Sequence, residues 1–303
     1  GVVLPTFGLI PVAIIVGAMM YRLNISLVIC SLVGVLMLAG LIVGGYYLPI
    51  ELPVDSAGRY WTVILLIYAA AASVVPVPIL LQPRDHLAGS ILFFGMFFGF
   101  LGILVTRPET KCPPFIEFSS DKGPLWPMIF VIIACGALSG FHSLVASGTT
   151  SKQLPAMRNA RPIGYGGMIV ESALSLLALI CVSAGLYWTA SAEGAEGLVY
   201  SDLYHNAGRI KTFGVGYGQL TRPFFGTFGV LVGVTMLKTF IMTTLDSATR
   251  ITRFVTTELF GDTVKIRAFK NRYFATAVVV LLAGALALGN YRRSGRFSGP
   301  PTS

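Results

Sequence analysis

An all-α, polytopic transmembrane bundle is the fold class this sequence predicts, and three observations carry the prediction. Of 303 residues, 54% are apolar and only 12% are charged, about half the charged share of an ordinary soluble domain. The apolar residues fall in continuous runs close to the roughly 20 residues that a helix needs to cross a hydrocarbon core. These runs lack the alternating pattern of barrel strands, so closed helices satisfy their backbones in lipid.

The runs, in order, are Val2–Tyr21, Ile25–Leu48, Trp61–Leu81, Leu87–Val105, Leu125–Val145, Met168–Trp188 and Phe224–Leu245, with a shorter eighth at Phe274–Leu288. The longest connection expected runs from Thr189 to Arg222, too short for a soluble domain. Residues 1–290 are expected to form one transmembrane helical region of a longer protein, incomplete at both ends. Residues 291–303 are a polar Gly/Pro/Arg-rich tail and a candidate for a non-native end.

The formal charge of +9 invites a nucleic-acid partner, but the basic residues are dispersed among short loops rather than gathered on one face. Loop charge of this kind sets membrane orientation. Alternate loops on one side carry Arg22, Arg84, Lys152, Arg158, Arg161, Arg250, Arg253, Lys265, Arg267, Lys270 and Arg272. The opposite loops carry fewer basic residues, diluted by eight acids between Glu51 and Asp202. The first side is therefore expected to be cytoplasmic, in an inner membrane. Four cysteines occur without a CxxC or a His cluster, so neither a disulfide framework, a metal site nor a cofactor is expected.

Polar and broken features at membrane depth are expensive and mark candidate sites. The run Ser73–Pro78 contains Pro76 and Pro78, followed by Gln82-Pro83-Arg84-Asp85-His86. A proline removes a backbone donor and interrupts the helix, as in transporters whose broken helices bind solutes. Arg84 and Asp85 also read as a simple interfacial ion pair. Between Ala134 and Ser151, Gly136 and Gly140 give a close-packing spacing. Ser139, His142, Ser143 and Thr149 add polar groups able to coordinate a solute.

Glu171 sits about ten residues beyond Arg161, deep enough to carry a proton or to make a structural hydrogen bond. Asp246 and Arg250, four apart, are expected to pair along one helix face. Lys238, about two turns deeper, either snorkels or offsets an anionic solute. His142 and Asp246 join Glu171 as candidate proton-coupling groups.

Several stretches are more specific. Gly123-Pro124-Leu125-Trp126-Pro127, Ile133 to Leu144 and Ser147 to Lys152 resemble the signature of the carbon starvation protein A family. Leu80 to Asp85, Gly164 to Glu171 and Thr243 to Arg250 follow in the expected order. The resemblance implies a transporter of peptides or pyruvate in the inner membrane, proton-driven and induced on nutrient limitation, with no cofactor and no catalytic residues. It also implies an inverted-repeat core of the amino acid–polyamine–organocation type. A nutrient-sensing membrane protein or a channel is the alternative reading. Substrate, coupling ion and lipid bilayer are the expected partners.

Overall fold

The computed structural model describes residues 3–48, 57–76, 80–120, 123–130, 140–148, 150–189 and 195–297. Among the described residues, its longer helices are α1 (Val3–Tyr21), α2 (Leu27–Tyr47), α3 (Ala57–Val74), α4 (Leu81–Thr106), α5 (Gly140–Gly148), α6 (Ala160–Ser183), α7 (Tyr200–Leu220), α8 (Gly229–Thr256) and α9 (Arg272–Phe297). A two-residue antiparallel pairing of β1 (Ser119–Ser120) with β2 (Gly123–Pro124) is the sheet structure among the described residues. Among the described residues, six stretches are long and apolar enough to span a membrane: Val3–Tyr21, Leu27–Tyr47, Leu81–Thr106, Met157–Ser183, Arg222–Thr263 and Arg272–Gly289. The chain is a multi-pass helical membrane bundle. Its outward leucines say the same, since Leu36 is 70% exposed and Leu104 71%, a surface suited to lipid rather than water.

α8 is the hub, lying against α3, α4, α5, α7 and α9. One buried cluster ties Leu9 and Val16 of α1, Leu38 of α2, Leu87 and Met96 of α4, Leu177 of α6, Tyr217 of α7 and Met236 of α8. Tyr217 is buried among these side chains, and its hydroxyl donates to the Gly95 carbonyl at 2.8 Å. A phenol placed in apolar surroundings needs such a partner.

Helix starts follow local chemistry where the hydropathy runs misplaced them. α4 begins at Leu81 rather than Leu87, because Pro83 falls in the first turn, where its missing N–H has no intrahelical partner to lose. α8 extends past the expected end at Leu245 to Thr256. Its late charges Asp246, Arg250 and Arg253 are all buried and so do not mark an exit into water. α9 continues through residues expected to begin the polar tail. The fifth expected run is described only in part, as α5 and the residues before 131.

The largest correction concerns Thr189–Arg222, expected as a loop. Most of it is α7, broken at Gly208 (φ 77, ψ 166), a conformation only glycine adopts without strain. Leu198 before α7 and Gln219, Leu220 and Arg222 at its end line one cavity with Lys111. The segment therefore enters and leaves at the same end of the bundle, with Gly208 as its inner tip.

α7 is pressed onto α6 by glycine: a Cβ at Gly216 would overlap the Cys181 carbonyl oxygen. Gly216→Ala is expected to lower stability by about 1–3 kcal/mol through overpacking. Gly40→Ala, which meets open space, should not. Unfolding midpoints in detergent compare the two.

Candidate functional site

The site begins where α3 stops. Residues before a proline avoid the α region, and α3 ends at Val74 ahead of Pro76. A helix end leaves carbonyls without intrahelical donors. Arg250 of α8 supplies donors for two carbonyls there, its Nη2 donating to Ala72 at 2.9 Å and Val75 at 2.6 Å. The guanidinium thus stands at the negative pole of α3, where a cation is favoured.

Because Arg250 faces those carbonyls, Asp246 pairs elsewhere. Its Oδ2 forms an ion pair with Nη1 of Arg84, and the side chains are 0% and 2% exposed. Tyr68 of α3 donates its hydroxyl to Asp246 Oδ2 at 2.8 Å and accepts from Arg84 Nη1 at 2.6 Å. The expected Asp246–Arg250 helix-face pair is replaced by a bond between helices, as is the expected Arg84–Asp85 pair. Spacing explains the geometry: Tyr68, Ala72 and Val75 share one face of α3, and Asp246, Arg250 and Arg253 share one face of α8.

The cluster is not saturated. Arg84 Nε and Nη2, Asp246 Oδ1 and Arg250 Nε have no hydrogen-bond partner among the described residues. Beside it, Asp85 lines a cavity of about 260 Å³ with Gly89, Thr243, Thr244, Ser247 and Val145 of α5. Asp85 feels the charges of both Arg84 and Arg250. The Thr243 hydroxyl donates to the Phe240 carbonyl at 2.7 Å, which leaves its oxygen lone pairs as acceptors.

A second polar site lies at the α7 break. Gly208, Arg209 and Lys211 line a cavity of about 450 Å³ together with Val230, Val234 and Lys238 of α8. The limb after Gly208 starts a helix, and its free N–H groups and positive pole favour an anion.

The predicted residues divide between these places. Arg84 and Asp246 are joined directly, and Pro76 borders a neighbouring cavity beside Arg250. Lys238 stands apart, at the α7 break. Glu171 is on an exposed face of α6, where its carbonyl accepts from the Ser175 hydroxyl. Gly140, His142 and Ser143 lie on α5, which reaches the Asp85 cavity through Val145. Pro78, Gly136, Ser139 and Thr149 lie outside the described residues. Tyr68 and Gly208 went unforeseen. No motif surrounds Tyr68, and the polar run Tyr204–Arg209 hides a helical segment from any hydropathy count.

A multi-pass bundle with paired charges buried between helices belongs to the class of polytopic inner-membrane proteins. Within that class this chain belongs to the carbon starvation protein CstA family, whose model matches residues 2–197 and 188–297. It is 31% identical to the peptide transporter CstA of Bacillus subtilis over 318 residues, covering 91% of this chain and 52% of that protein. It is 30% identical to the peptide transporter CstA of Escherichia coli, covering 76% of this chain and 40% of that one. Similarity to the pyruvate/proton symporter BtsT of Escherichia coli is 41% over 157 residues, 48% of this chain and 22% of that one. The chain spans about half the length, or less, of these curated relatives. No solved structure matches.

Removing one member of a buried ion pair strands the other, at a cost of about 3–5 kcal/mol. Asp246→Ala alone should therefore destabilise the protein by that order. The double variant Arg84→Met/Asp246→Leu should recover most of the loss, read as unfolding midpoints.

Proposed function

We propose that this chain forms part of a secondary active transporter that imports peptides or pyruvate across the inner membrane, coupled to protons and induced on nutrient limitation. The observation that carries the reading is the buried Arg84–Asp246–Tyr68 cluster at the α3 break, beside a cavity lined by Asp85 and the α8 hydroxyls. Buried ionisable groups at membrane depth mark solute and proton pathways, and interrupted helices supply backbone ligands in transporters. The names of the relatives add peptides, pyruvate and a proton, and pyruvate and a linear peptide with a free C-terminus both carry a carboxylate.

In this reading the α3 break at Pro76–Pro78 and the α5 region (Gly136, Ser139, Gly140, Ser143, Thr149) present backbone and hydroxyl ligands. Arg84 and Lys238 offset the carboxylate. Glu171, His142 or Asp246 takes the proton. Residues 1–290 form the transmembrane region, within a core of inverted repeats, and the polar stretch from 291 continues directly from α9.

The test is uptake of labelled pyruvate, and of a labelled dipeptide, into proteoliposomes holding the protein as the cell makes it. An inward proton gradient should drive accumulation of one of them above the equilibrium level. Gradient-independent equilibration would instead indicate a channel, and no uptake by folded protein would indicate a sensor. Glu171→Gln is expected to abolish gradient-driven accumulation while leaving passive exchange. Lys238→Gln is expected to raise KM about tenfold, the loss of a single charge-assisted contact. Intact coupled uptake in Glu171→Gln removes that residue from the proton path.

A further inference from the structure

The end of α8 that carries Arg250 holds another cavity, whose cations other than Arg250 the transport reading leaves without a role. An open cavity of about 340 Å³ lies between the last turns of α8, the end of α3 and the start of α9, and its lining includes Arg250, Arg253, Lys270, Arg272, Val75 and Phe254. Among the described residues, four cations and no acid line it. Arg253 is only 8% exposed, and no carboxylate pairs with it among the described residues. Its guanidinium lies 4.7 Å from the Phe254 ring centroid, while Arg272 and Arg250 are near enough for like-charge repulsion. Arg250 Nε, itself buried, has no hydrogen-bond partner there. Lys270 does have Asp262 at 3.4 Å, but both are more than half exposed, and such pairs hold little.

Lys270 and Arg250 each feel one acid, Asp262 and Asp85, and Arg253 and Arg272 add like charges that oppose the fold unless an anion joins them. Guanidinium forks match phosphate oxygens in pairs. The position selects the source of that phosphate. The cavity lies where one membrane-length stretch, Arg222–Thr263, ends and another, Arg272–Gly289, begins, the level of lipid headgroups. The neighbouring outer surface is apolar: Phe254 is 45% exposed and Val255 47%, a wall against which an acyl chain can lie. Basic pockets between helices at a cytoplasmic face suit anionic headgroups.

We propose that this cavity holds a phosphate group, supplied by the phosphodiester of an anionic membrane lipid. Lipid occupancy would hold α3, α8 and α9 together at one end and does not depend on which solute is carried.

The experiment measures the unfolding midpoint of the purified protein, as the cell makes it, in mild detergent. Additions are phosphatidylglycerol, phosphatidylcholine or inorganic phosphate. Phosphatidylglycerol is expected to raise the midpoint by several degrees and phosphatidylcholine to leave it unchanged, since a ligand that binds only the folded state stabilises it by mass action. The rim variant Lys270→Gln/Arg272→Gln changes two exposed side chains. It should leave the lipid-free midpoint no lower, since it removes two of the repelling charges, and should lose more than half of the lipid-induced rise. Arg253→Gln, which changes a buried group, should abolish the rise. An equal rise with inorganic phosphate alone would keep the phosphate site and assign its ligand to solution. Equal effects of both lipids, or a full rise in the rim variant, would overturn the proposal.

Discussion

A helix that ends among buried side chains must find donors for the carbonyls it leaves behind. α3 stops at Val74 because Pro76 follows, and the donors it finds belong to Arg250 of another helix. Much of the bundle follows from that contact. With Arg250 committed to α3, Asp246 one turn earlier turns to Arg84 and Tyr68. α8 is thereby fixed in register against both α3 and α4, and α8 in turn touches most of the remaining helices. Sequence-distant segments are locked together by electrostatics, while the apolar cluster of Leu9, Leu87, Leu177 and Met236 fills the space around them.

The polar sites have different charge balance, and this divides their chemistry. At the α3 break, Arg84 and Arg250 are matched by Asp246 and Asp85, so the region can exchange partners, or pass a proton between its own groups, with no change in net charge. At Gly208 and at the Arg253 end, cations are assembled without acids among the lining residues. A balanced cluster suits groups that must rearrange during a cycle. Unbalanced ones suit groups that bind an anion. The same helix, α8, lines all three places, through Asp246, Lys238 and Arg253, at successive depths along its length.

Much of this was legible in the sequence. Runs such as Val2–Tyr21 and Leu87–Val105 reveal membrane helices because length and continuity are the only requirements lipid imposes. Arg84 and Asp246 were legible as sites because charges at that depth are costly. Their pairing was not legible. Spacing along one helix suggested Asp246 with Arg250, whereas the partner is 162 residues away, set by how α3 and α4 dock on α8. Hydropathy averages likewise missed α7. Residues such as Asp202, His205, Asn206, Arg209 and Lys211 lower its mean, yet the limb after Gly208 buries Thr212, Phe213 and Tyr217. Glu171 was read as deep from its distance to Arg161, but that count cannot tell which face of α6 it occupies.

The doubling back of α7 at Gly208 also governs parity. A segment that returns through the face it entered adds two helical limbs and no crossing, so the helices on either side of it keep the alternation they would have without it. α6 ends and α8 begins at the same end of the bundle, and the arginine-rich end of α8 emerges with Arg158 and Arg161. Had α7 crossed fully, every basic loop after it would lie on the side opposite Arg158 and Arg161. A single glycine with positive φ thus keeps the two halves of the chain in the same orientation.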